Sequence, residues 1–226
     1  MNNPWLDVPL EEYEGHMAWP GVGQAQLLSD VFARAIEQFS PQSVAVLGCA
    51  GGNGFERIPP SVSRVVGVDL NPQFIAESDA RFRGRFKSLE LISGDIQSHE
   101  TSFAPVDLMF AGLILEYVNV ETVIARVPSM LGVTGNLVTV LQLPNVGHSH
   151  VSPSPFSGVQ ALGKVINFVP PPHLQKVAEA HGYVQLESHT VASVAGKKFQ
   201  VQVFAMMPNP AVNPDLAQKA AQGRLP

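Results

Sequence analysis

One stretch constrains this chain more than any other: Ser43-Val-Ala-Val-Leu-Gly-Cys-Ala-Gly-Gly-Asn-Gly-Phe55. Val44 to Leu47 is a short apolar run with the β-branched character of a strand buried on both faces of a sheet. It stops in a cluster of small residues, Gly48 to Gly54, where backbone N–H groups can approach a ligand closely and a helix is expected to begin. A strand feeding a glycine loop and then a helix is the start of a nucleotide-type binding site.

The rest of the chain arranges itself around that start. Residues 1–20 carry Trp5, Tyr13, His16, Met17 and Trp19 with no clear period, and read as an arm or lid over the ligand, with Tyr13, His16 and Met17 as contacts. Leu27, Leu28, Val31, Phe32, Ala35, Ile36 and Phe39 recur at the spacing of one apolar helix face, and Ser40-Pro41 ends that helix. Pro59-Pro60 closes a short helix after the glycine loop. Further strands are expected at 64–69, 88–93, 106–110 and 137–141. Asn71-Pro72 reads as an N-cap followed by proline at the first helical position, and Asn119 as the cap of a helix that Pro128 must kink or shorten. Thr134-Gly-Asn136 reads as a turn, and the proline-rich stretch 144–172 as a substrate-side loop. A helix over 174–181 ends at Gly182, and two alternating runs around Ala195-Gly196 form an antiparallel hairpin. The tail 208–226 reads as an exposed helix or as disordered. No repeat and no shift in composition marks a linker, so residues 1–226 are expected to form one domain: a doubly wound, mostly parallel α/β sheet.

Composition narrows the partners. The net charge is −5 and the 14 basic residues are scattered, which argues against a nucleic-acid substrate. One cysteine, Cys49, leaves neither a disulfide framework nor a multi-cysteine zinc site. Met1 to Asp7 lacks the basic and apolar regions of a signal peptide, and no apolar run reaches the about 18–20 residues of a membrane span, so a cytoplasmic protein is expected.

Asp69 stands 21 residues after Gly48, at the end of the next strand, where a carboxylate reaches ribose hydroxyls. A lone Asp there is often only a helix cap; with the glycine loop at this spacing, ribose binding is the stronger reading. Dinucleotide-binding loops need G-x-G-x-x-G, which no frame of Gly48–Gly54 supplies, and the Gly-Lys-Ser/Thr of a Walker loop is absent.

At this point the chain resembles class I S-adenosylmethionine-dependent methyltransferases. Leu47 to Gly54 is similar to that family's glycine motif, Val68-Asp69-Leu-Asn-Pro72 to its second motif, and Gly94-Asp95-Ile96 to its third. Pro105 to Val118 resembles its fourth strand and the segment after it, and Leu131 to Val138 the turn into strand five. The resemblance runs over about 21–207 and implies a seven-stranded Rossmann-like sheet closed by the antiparallel hairpin, with S-adenosyl-L-methionine as cofactor. It implies that Gly48, Cys49, Ala50, Gly52 and Asn53 line the methionine and ribose portions. Asp69 would accept both ribose hydroxyls, Leu70 would pack on adenine, and Asp95 would take the adenine amino group with Ile96 beside it. Ala111 and Gly112 would lie near the methyl group. Two positions depart from the family pattern: Val46 replaces the acid two residues before the first glycine, and Ala50 replaces the central glycine.

The Asn/Asp-Pro-Pro-Tyr signature of amino-methylating nucleic-acid enzymes is absent after the fourth strand, so a small-molecule acceptor is expected, touching Tyr13, His16, Tyr117 and His148. His16, His148, His150, Glu116 and Tyr117 are the candidate general bases, with none singled out. His148-x-His150 alone is a weak metal pattern, and no metal is expected. Val46 and Ala50 keep a non-catalytic cofactor- or partner-binding module as an alternative. The strand–loop–Asp plan alone also admits a nicotinamide-dependent oxidoreductase.

Overall fold

The computed structural model describes residues 3–144 and 149–206, so His148 and the tail reading over 208–226 lie outside the described residues. Seven strands form one sheet: β1 (Ser43–Leu47), β2 (Arg64–Asp69), β3 (Ser88–Ser93), β4 (Val106–Gly112), β5 (Leu131–Gln142), β6 (Tyr183–Ala192) and β7 (Lys198–Met206). Their order is β3-β2-β1-β4-β5-β7-β6. The first five are parallel, and β7 runs antiparallel between β5 and β6. This is the doubly wound architecture expected from the sequence, with its antiparallel hairpin at one side.

Alternate residues along each central strand enter opposite cores, as the two-residue period requires. Ala45, Leu47, Met109 and Ala111 pack with the apolar faces of α4 (Val120–Met130) and α5 (Pro171–Ala180). Val44, Val46, Leu108 and Phe110 pack beneath α2 (Gln24–Phe39). The α3 helix (Pro72–Phe82) adds Ile75 and Phe82 to that second core, and its start is built as expected: Asn71 accepts from the Gln73 amide and Pro72 opens the helix. A third, smaller apolar cluster joins Val8, Ala50, Phe74, Val151, Val159 and Leu162. It draws on the arm, the glycine loop and the 149–165 segment, over the carboxyl ends of the strands. Open α/β sheets bind ligands there, where β1 has neighbours leading away in both directions.

Several expectations are corrected. The arm has a period after all: a 3₁₀ turn at Pro4–Leu6 precedes a regular helix, α1 (Leu10–Ala18). Glycine at 15 and few apolar residues hide it from a hydrophobicity count. No α-helix follows the glycine loop; a 3₁₀ turn at Phe55–Arg57 is all that fits before Pro59-Pro60. Pro128 lies inside α4, which runs on to Met130. It removes the N–H that would bond the Ile124 carbonyl, and the helix ends two residues later. The expected turn at 134–136 is a bulge within β5: Val106 pairs with Leu131 and Leu108 with Asn136. Leu131 is buried in the core, which draws the chain into the sheet before Gly132 and Gly135 let it swell outward. The 144–172 stretch includes a 3₁₀ segment, Gly158–Lys164, and α5 starts three residues earlier than expected, on Pro171.

Candidate active site

The amides of Gly48 and Cys49 both donate to the Val68 carbonyl, at 2.8 and 3.1 Å, which ties the end of β1 to β2. The chain then turns tightly, with the Gly52 amide donating to the Cys49 carbonyl at 2.9 Å. Gly52 has φ +88°, and a Cβ there would meet the Phe82 ring at 2.5 Å, so only glycine fits. Ala50 sits at φ +48°, a left-handed conformation that costs an alanine about 1 kcal/mol. That conformation aims the Ala50 amide at Asp69 Oδ2, 2.9 Å away, while Oδ1 accepts from the Asn71 amide at 2.9 Å. A carboxylate has about four lone-pair sites. Acceptor capacity therefore remains for a ligand. Burial raises the Asp69 pKa, and the amides of Asn71, Ala50 and Leu70 oppose that rise.

Gly48, Ala50, Asp69, Leu70, Asp95, Ile96 and Gly112 line one cavity of about 690 Å³ together with Tyr13 and Tyr117. Asp95 is held in place by Gln97, whose amide donates to Oδ1 at 2.9 Å and whose side-chain nitrogen reaches both carboxylate oxygens. Not every expected residue joins this cavity. Cys49 is 1% exposed with its side chain in the α2-side core, where burial pushes its thiol pKa well up. Ala111 is buried in the opposite core, and Gly52 shapes the turn without lining the space. Asn53 lines a third cavity instead, of about 450 Å³, with Gly48, Gly112, Ser29 and Val46.

The cavity also recruits residues that the motifs did not single out: Asn3, Trp5, Phe74 and Leu113. Trp5 meets Tyr13 and Tyr117 edge-on, with ring centroids 5.5 and 5.0 Å apart, and Tyr13 stacks on Phe74 at 6.0 Å. Tryptophan close to tyrosine in the arm was the available signal; the pairing with Tyr117 spans over a hundred residues and has no local signature. Leu113 has φ +59°, the strained backbone often found at binding sites.

A second cavity, of about 490 Å³, opens beyond this aromatic group and shares Trp5, Tyr13, Leu113 and Tyr117 with the first. His16, Met17, Glu116, Gln142, His150 and Lys197 are among its lining. Glu116 lies in a 3₁₀ turn (Leu115–Tyr117) after β4 and is 1% exposed. Its Oε1 accepts from the Gln142 amide at 2.6 Å and its Oε2 has no partner. Burial pushes the Glu116 pKa up to about 7, against the Gln142 amide and the Lys197 ammonium. His16 Nδ1 is 2.8 Å from Ser154 Oγ, and burial, aided by Lys197, lowers its pKa to about 4. Burial raises the pKa of both Tyr13 and Tyr117, so both stay protonated at neutral pH. His150 meets Phe168 edge-on at 4.7 Å. Among the described residues, no group of three His, Cys, Asp or Glu side chains is placed to hold a metal ion.

Residues 45–139, which carry the glycine loop, Asp69, Asp95 and Glu116, match the methyltransferase domain family. The middle of this chain therefore resembles a methyltransferase domain. Solved structures agree on the fold. A TehB-like S-adenosylmethionine-dependent methyltransferase from Corynebacterium glutamicum superposes with TM-score 0.56 at 20% identity, over 77% of this chain and 86% of that one. For an S-adenosylmethionine-dependent methyltransferase from Clostridium acetobutylicum the values are 0.61 and 13%, over 79% and 90%. The magnesium protoporphyrin IX methyltransferase of Synechocystis PCC 6803, solved with bound S-adenosylhomocysteine, gives 0.58 and 12%, over 81% and 84%. No curated protein matches in sequence.

The residues that line the first cavity fit S-adenosylmethionine. Asp69 presents free acceptor capacity at the end of β2, an aromatic and aliphatic wall faces it, and the turn after the glycine loop is too short to act as a phosphate-binding helix end. Among the described residues, no helix is long and apolar enough to cross a membrane.

Proposed function

We propose that this chain is a cytoplasmic, single-domain methyltransferase that methylates a small-molecule acceptor. The adenosyl part of S-adenosylmethionine occupies the first cavity: Asp69 accepts from the ribose hydroxyls, Asp95 from the adenine amino group, and Leu70 and Ile96 flank the base. The methionyl end extends past Gly48 and Gly112 toward Asn53 and Ser29, which take the place of the acid that Val46 lacks. The acceptor occupies the second cavity. The observation that carries this reading is that the two cavities share one wall, built from Trp5, Tyr13, Leu113 and Tyr117.

The cofactor supplies a methyl group already activated on a sulfonium sulfur, so the chain's task is to position the acceptor and exclude water. The aromatic group of Trp5, Tyr13 and Tyr117 narrows the passage between the cavities and keeps it apolar. Where the acceptor has a proton to lose, Glu116 takes it. Its carboxyl is buried with a free Oε2 and titrates near neutrality, where a general base works best. Tyr117 keeps its own proton, and His16 is too weak a base at about 4.

Titration calorimetry with S-adenosylhomocysteine tests the cofactor site. Binding is expected, and Asp69→Ala weakens it by about 1–3 kcal/mol, since ribose hydroxyls lose their partner. No binding at millimolar ligand rejects the assignment, and an unchanged affinity in Asp69→Ala removes that residue from the site.

A further inference from the structure

The Lys197 side chain has no role in the assignment above, yet its position is chemically unusual. Lys197 directly precedes β7 and is 7% exposed. It lines the second cavity and not the first. Its Nζ donates to the His150 carbonyl at 3.0 Å and to Ser152 Oγ at 3.3 Å. Both partners are neutral. An ammonium group has three donors, and the third has no partner among the described residues. The one carboxyl that lines the same cavity, Glu116, spends its Oε1 on the Gln142 amide and makes no ion pair with Lys197. A buried ammonium without a direct ion pair is costly, with Glu116 acting on it only through space, and tying down the 150–152 backbone does not need a charge. Burial lowers the Lys197 pKa to about 8, which still leaves it mainly cationic at neutral pH.

Most of the remaining wall is apolar, from Met17, Val151, Val159, Leu162 and Ile166, with His16, Gln24, Gln142 and His150 also in the lining. A site with one buried cation that makes no ion pair, and hydrocarbon over much of its wall, suits a molecule that is mostly apolar with one negative group. We infer that Lys197 receives the anionic group of the acceptor, which makes the acceptor a small, largely apolar organic acid. This rests on the assignment of the second cavity to the acceptor. The acid group lies at Lys197, which is not part of the wall shared with the first cavity, and the nucleophilic atom lies at the aromatic passage. Its lone pair forms the bond to the methyl carbon as the carbon–sulfur bond breaks, and its proton, where present, passes to Glu116.

The test uses the full chain saturated with S-adenosylhomocysteine. Benzoate, phenylacetate and hexanoate are titrated in the calorimeter, each beside its own primary amide. At least one acid is expected to bind tenfold or more tightly than its amide, a comparison that needs no variant. Lys197→Met is expected to abolish the preference, its folding being checked by the same cofactor-product titration. Acids that bind no better than amides, acids that do not bind at all, or a preference that survives in Lys197→Met each overturn the inference. Failure of S-adenosylhomocysteine itself to bind rejects the cofactor assignment before any acid is added, so the two failures are distinct.

Discussion

Glu116 is a buried carboxyl held by one backbone amide, and its protonation links the second cavity to stability. Its folded pKa of about 7 lies above the ordinary value of 4.5, so the folded chain keeps a proton that the unfolded chain releases. The stabilising contribution is complete below about pH 4.5 and is lost as pH rises through about 7; the difference amounts to about 3 kcal/mol. Glu116→Gln keeps the shape and removes the titration. Urea unfolding at pH 5 and pH 8 is expected to show the variant gaining about 3 kcal/mol on wild type at the higher pH. An equal stability difference at both pH values removes the perturbed carboxyl from the account. His16 works in the opposite sense: its lowered pKa contributes stability above about pH 6.5 that is lost as pH falls through about 4. Comparing the variant with wild type at each pH isolates the Glu116 part.

At the scale of elements, α1 is the part that closes both cavities, and it is held from two sides. Glu14 pairs with Arg81 of α3, 2.6 Å away, and Arg81 also reaches the Gly51 carbonyl. On the other side Glu12 accepts from the Gly158 amide and His16 meets Ser154. Between them the helix lies directly on the Phe156 ring: a Cβ at Gly15 would stand 2.4 Å from it. Gly15→Val is therefore expected to lift α1 while leaving the sheet intact. Amide hydrogen exchange over 10–18 should speed up, and S-adenosylhomocysteine should bind at least several-fold more weakly. Unchanged exchange in α1 means that Phe156 moves aside and the helix is not clamped there. Exposed pairs such as Arg57–Asp30 contribute little by comparison.

For the whole molecule, ligand binding and folding are expected to be linked, because the first cavity exists only when the ends of β1, β2 and β4 and the N-terminal arm are assembled. S-adenosylhomocysteine at a hundred times its Kd is expected to stabilise the fold by about 2.7 kcal/mol, a rise in Tm of about 5–10 °C for a chain of this size. NAD at the same concentration should leave Tm unchanged, which a thermal melt decides directly. The sheet itself was legible in the sequence: short β-branched apolar runs mark the buried strands, two alternating runs mark the hairpin, asparagine and proline mark the start of α3, and Gly48–Gly54 with Asp69 at its distance marks two walls of the first cavity. These are local signals, set by backbone sterics and hydrogen bonding over a few residues. The sequence pattern misjudged those places where packing overrides local preference, as where the buried Leu131 draws an expected turn into β5. What only the tertiary structure decided is which distant groups face one another across the cavities. Trp5 against Tyr117, Glu116 with a free oxygen, and Lys197 without an ion pair are brought together from three separate segments. Their chemistry comes from shared burial, which raises one pKa and lowers another, and burial is a property of the assembled fold and not of any short stretch of chain.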